Sequence, residues 1–102
     1  MHIGDPKEVE TVLAFFRKHI DRELDITISV FDGLVQHERL LVAEANAATS
    51  RVLLMGAREQ HRLELNLHHY SFATVSPDRK KLEIGRLLGG NVILRLTASE
   101  IG

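Results

Sequence analysis

The sequence predicts a mainly β (α+β) domain: one N-terminal amphipathic helix, then a strongly bent antiparallel sheet of five to six strands or a small barrel. Three observations carry this expectation. A helix-start signature stands at Asp5-Pro6-Lys7-Glu8, the apolar period changes from helical to alternating at Leu24, and turn residues recur between the short apolar runs that follow.

The helix is expected over residues 5–22. Asp5 can accept from the free N–H groups of the first turn, Pro6 suits the first helical position because its missing N–H was unpaired anyway, and Glu8 can reach back to the cap. Val9, Val12, Leu13, Phe16 and Ile20 then recur at helical spacing, so one face packs on something larger.

An antiparallel meander is expected over residues 24–97. Leu24, Ile26, Ile28 and Val30 alternate with Asp25, Thr27, Ser29 and Phe31, the pattern of a strand with one buried face. Asp32-Gly33 tolerates the positive φ of a tight hairpin turn, and the return strand runs from about Gln36 to Ala45. The alanine-rich stretch Ala43 to Ser50 reads as a loop or a short helical turn. Val52-Leu53-Leu54-Met55 suits a strand covered on both faces, and Leu63, Leu65 and Leu67 mark the next half-buried one. Tyr70, Phe72 and Thr74 alternate out of phase with those leucines, which requires a bulge or strong bend near His68-His69. Ser76-Pro77-Asp78-Arg79 reads either as a turn or as a helix start. The turn is favoured, because Gly85 would weaken a helix while Leu82 and Ile84 alternate in strand fashion. Gly89-Gly90-Asn91 then turns the chain into Val92, Leu94 and Leu96.

A chain of 102 residues, 44% of them hydrophobic, predicts a single domain over residues 1–102. No apolar run approaches the length of a membrane span and no signal-peptide pattern opens the chain, so a cytoplasmic protein is expected. Cysteine is absent, which removes disulfides, thiolate nucleophiles and Cys-containing zinc sites together. His37, His61, His68 and His69 form the densest histidine group, but their spacing matches no ligand pattern, so no metal is expected. The sequence lacks a nucleophile elbow, a P-loop and a dinucleotide-binding fingerprint, and Asp21, Glu23 and Asp25 read as solvated charge; neither catalysis nor a cofactor is expected.

The net charge of −1 hides two unlike halves: residues 1–50 carry five Lys/Arg against nine Asp/Glu, and residues 51–102 carry eight against five. Arg51, Arg58, Arg62, Arg79, Lys80, Lys81, Arg86 and Arg95 offer a phosphate-contacting surface with His69 or Tyr70 as a stacking partner. The plainer reading is a soluble surface of mixed charge. Phe15, Phe16, Phe31 and Phe72 are expected in the core or an interface rather than as stacking platforms.

The order of these landmarks resembles the Sm-like family, its Hfq-like branch in particular. Asp5-Pro6 opens the helix similarly, Ile26 to Gly33 looks like the first strand and its turn, Val52-Leu53-Leu54 like the third, and Ser71-Phe72-Ala73-Thr74-Val75-Ser76-Pro77 like the closing segment. The family's Lys-His pair corresponds to His69 and Tyr70, its second-strand glycine to Glu38, and its stacking aromatic falls near Ser50. A competing alignment places Gly85 to Val92 on the second Sm motif. The resemblance implies a homo-oligomer, assembled through edge strands, that binds single-stranded RNA, with His69 and Tyr70 lining the pocket and Arg58 and Arg62 on phosphates. A second resemblance, to the N-terminal β-domain of flagellar-brake proteins, implies a protein-interaction module; the alternative to RNA binding is thus a homodimeric protein-interaction or small-ligand-binding β-domain.

Overall fold

The computed structural model describes residues 6–31, 33–56 and 62–101. Helix α1 (Pro6–Lys18) is followed by β1 (Glu23–Val30), β2 (Gly33–Asn46), β3 (Arg51–Met55) and β4 (Arg62–Asn66). A 3-10 turn (Leu67–His69) leads into β5 (Phe72–Val75), β6 (Lys81–Leu88) and β7 (Asn91–Glu100). Proline occupies the first helical position as its fixed φ favours, and Asp5 lies outside the described residues. The helix ends four residues earlier than the apolar spacing suggests, at Lys18 rather than at residue 22. Beyond it Asp21 adopts a left-handed φ of 64°, and its N–H donates to the Val42 carbonyl at 2.9 Å, which turns the chain onto β2.

All seven strands form one antiparallel sheet in the order β4-β3-β2-β1-β7-β6-β5. The expectation of five to six strands falls short because β6 and β7 lie beyond Pro77, outside the frame of the family resemblance, yet join the same sheet. The sheet is open: β4 and β5, consecutive in the chain, occupy its two opposite edges. The favoured turn at Ser76-Pro77-Asp78-Arg79 is what forms, and 81–88 is a strand. The alanine-rich segment is strand as far as Asn46 and turn from there to Ser50.

Strong curvature follows from where the helix sits. It packs against both β2 and β5, which are separated by three strands in the sheet, so the sheet must wrap around it. Register shifts at Ile28/Ser29, Val42/Glu44 and Arg86/Leu87 supply local twist. Val12, Leu13, Phe15 and Phe16 fill the concave side against Leu24, Ile26, Leu40, Val42, Leu54, Leu82, Ile84 and Leu96, all buried. At the helix end His19 is also buried; its Nδ1 lies 2.7 Å from the Phe15 carbonyl oxygen, an acceptor, so Nδ1 carries the proton. The slip near His68 is realised as the 3-10 turn, which hangs between the two wings of the sheet. The Leu67 N–H donates to the Ser50 carbonyl at 2.9 Å on one side, and the Ser71 N–H donates to the Gly85 carbonyl at 2.7 Å on the other. The alternation then restarts with Ala73 and Val75 toward the core.

Candidate functional site

Two of the concave surfaces among the described residues concern the residues singled out in the sequence or the open edge of the sheet. The first is a depression of about 390 Å³ beside the 3-10 turn, where Arg51, Asn66, His69, Tyr70 and Arg86 meet across the gap between the wings. His69 is exposed at its rim, whereas Tyr70 is 8% exposed, and burial pushes its hydroxyl above the ordinary tyrosine value. A ring buried to that degree is a wall, not a stacking platform. Arg51 is held 3.0 Å from Glu64 on the neighbouring strand, which neutralises part of the basic character.

The residues expected to bind nucleic acid are therefore only partly brought together. His69 and Tyr70 share the depression, but Arg62 stands opposite Met55 while Asn66 stands opposite Arg51. That puts Arg62 four positions along an extended strand, roughly 13 Å away at about 3.3 Å per residue. Arg58 lies outside the described residues. Of the remaining described basic side chains, Arg79 lines the second concavity rather than the first. Arg95 lies 3.1 Å from the Glu83 carboxylate, but its Nε makes no hydrogen bond, so the contact is an off-axis ion pair. Of the grouped histidines His61 lies outside the described residues; His37 pairs with Asp25 at 2.7 Å, and the described residues hold no cluster of three metal-ligating side chains. Phe31, expected in the core or an interface, is 74% exposed at the β1–β2 turn and is not part of the core.

The second concavity is a groove of about 640 Å³ between α1 and the open edge of the sheet at β5. Thr11, Ala14, Phe15 and Lys18, spaced three and four apart, line it from the helix, and Val75 and Pro77 line it from the strand and turn. The turn is rigidly made. The Asp78 carboxylate accepts from the Ser76 hydroxyl and the Lys80 N–H, which, with the first contact larger, hold its carboxyl below the ordinary value. The Ser76 N–H donates to the Lys81 carbonyl at 2.9 Å, and the Arg79 N–H donates back to the Ser76 carbonyl at 2.8 Å with Arg79 in the left-handed region. Glu10, also in the groove wall, is engaged by Arg17 at 3.1 Å. Lys18 and Arg79 are exposed and make no ion pair among the described residues.

Sequence reasoning passed over this groove because each half looked ordinary. The helical signal was spent on the buried stripe, and Ser76-Pro77-Asp78-Arg79 read as a turn or a helix start, in either case without a ligand-facing role. The signal available was Thr11, Ala14 and Lys18 flanking that stripe, but nothing in a linear pattern tells that β5 will be an edge.

Among the described residues no helix is long and apolar enough to cross a membrane. No family model matches the chain, and no curated protein matches it. Among solved structures, the crystal structure of the Bacillus subtilis YojF protein is similar at a TM-score of 0.55 and 20% identity, over 90% of this chain and 89% of that one. A likeness at that identity carries the architecture: one helix wrapped by a curved, mainly β sheet over nearly the full length of both chains.

Proposed function

We propose that this domain is a noncatalytic protein-interaction module whose working surface is the groove between α1 and β5. The observation that carries the reading is the groove itself: a cavity of about 640 Å³ walled by Ala14, Phe15, Val75 and Pro77, and bordered along one side by a sheet edge with no neighbouring strand among the described residues. Apolar walls with a few convergent polar groups are what a recognition site needs, and a free edge supplies main-chain donors and acceptors in addition. Panning a random-peptide phage library on the full chain tests this. Enriched clones should fall to background on an Ala14→Arg variant, whose long side chain fills the groove from an exposed helical position. No enrichment, or equal retention by both proteins, overturns the reading.

A second reading, a cytoplasmic Sm-like homo-oligomer that binds single-stranded RNA, rests on the convergence of His69, Arg51 and Arg86 at the depression between the wings. Filter binding of oligo-U and oligo-A at low salt is its test. Retention that weakens with added salt and is lost in a His69→Ala/Arg86→Ala double variant supports it; no retention at micromolar protein, or retention indifferent to salt, removes it.

A further inference from the structure

We infer that the α1/β5 groove takes an extended acidic peptide, which adds to the sheet as an eighth strand alongside β5; this rests on the interaction-module reading above. Two independent features of the groove specify that occupant. The first is the hydrogen-bonding state of β5. Among the described residues its partner is β6 alone, with Phe72 opposite Gly85, Thr74 opposite Glu83 and Val75 opposite Leu82. Because the Ser76 N–H donates to the Lys81 carbonyl, the alternation of an antiparallel ladder directs the Thr74 peptide groups toward β6 and those of Ala73 and Val75 toward the open side. Val75 is also a groove-lining residue, so outward-facing donors and acceptors border the cavity. An extended main chain satisfies such a row, whereas a helix, whose own N–H and C=O groups are already paired, does not.

The second feature is charge. Lys18 projects from the helix wall and Arg79 from the turn wall, while the one carboxylate in the lining, Glu10, already faces Arg17. The lining thus presents uncompensated positive charge on both sides of the cleft. A strand laid along β5 sends alternate side chains toward the groove and toward solvent. Apolar residues of the peptide would meet Ala14, Phe15 and Pro77, and acidic residues would meet Lys18 and Arg79 at the rims.

Three synthetic peptides titrated into the isotope-labelled full chain test the inference: one alternating valine and glutamate, one alternating valine and lysine, and the first with alternate amides N-methylated. The valine–glutamate peptide should shift the Ala73 and Val75 amides and protect them from exchange. The lysine peptide should leave them unmoved, and N-methylation should abolish the effect by removing the donors of the new ladder. A Lys18→Glu/Arg79→Glu double variant, altered only at exposed positions, should bind about tenfold more weakly or worse. Equal binding of the lysine peptide, persistence after N-methylation, or shifts confined to β4 overturn the inference. So does light scattering that shows a second copy of the chain already occupying the edge and the acidic peptide failing to displace it. The two proposals fail separately: phage clones that depend on Ala14 but lack acidic residues would sustain the interaction module while refuting the acidic strand.

Discussion

Tyr70 is the chain's only tyrosine and sits against the depression between the wings, 8% exposed. Burial penalises the phenolate, so the folded protein holds the proton to higher pH than the unfolded chain, whose tyrosine ionises near its ordinary 10.0. Below that pH both states are protonated and the contribution to stability is complete. As pH rises past it the unfolded state releases its proton first, and stability falls. Tyrosinate absorbance should therefore rise at higher pH in the native protein than in urea, and a Tyr70→Phe variant should show a flatter decline of its urea midpoint in alkali. Coincident titrations in the two states would contradict the buried placement. The sequence paired this residue with His69 as a pocket-lining aromatic; in the fold the two differ in exposure, Tyr70 buried and His69 exposed. An aromatic beside a histidine reads as a stacking pair, and only the 3-10 turn, which carries His69 outward and Tyr70 inward, separates the two.

Among the elements, the β5–β6 ribbon depends on one close approach. A Cβ at Gly85 would sit 2.7 Å from the Leu94 carbonyl oxygen and closer still to the ring of Phe72, which lies over the glycine from the opposite strand. Gly85→Ala should cost about 1–3 kcal/mol, read as a lower urea midpoint at unchanged slope. Phe72→Leu in the same chain should recover part of it, because the ring is one of the two obstacles. An unchanged midpoint would mean that the ribbon is looser than described. Gly85 was legible as an argument against a helix, and that argument led to the correct turn and strand at 77–88. Its packing role was not legible, since the partner ring stands thirteen residues away in a register no local pattern fixes. Where a strong local signal existed, as in the Leu24–Val30 alternation, the element formed as read; the helix end, which tertiary contacts with Val42 decide, did not.

For the whole molecule, alternation identified most of the strands but not their neighbours. Apolar spacing shows which face of a strand is buried and is silent about which strand lies beside it. The expectation of five to six strands or a small barrel therefore underestimated a sheet in which the last strand returns to pair with the first. That return separates the two candidate surfaces as well. The depression sits where the wings approach, and the groove sits at the outer edge beyond β6, so variants of one should leave the other's ligand unaffected. The described basic residues of the second half are divided between these places, and Arg51 and Arg95 are paired with carboxylates, so their number in the sequence does not gather on one surface.

The pairing of β1 with β7 has a kinetic side. Leu24 meets Glu100 and Val30 meets Leu94, so the centre of the sheet is built from segments near opposite ends of the chain, while each wing is a series of local hairpins. The wings can zip early from neighbouring residues, but they remain two half-sheets, each with an unsatisfied inner edge, until β7 is available to pair with β1. Joining them requires closing the longest loop in the molecule, so that step sets the pace of folding. Until it occurs, the seam between the halves is the aggregation-prone part of the chain, rather than the outer edges that remain open in the native state.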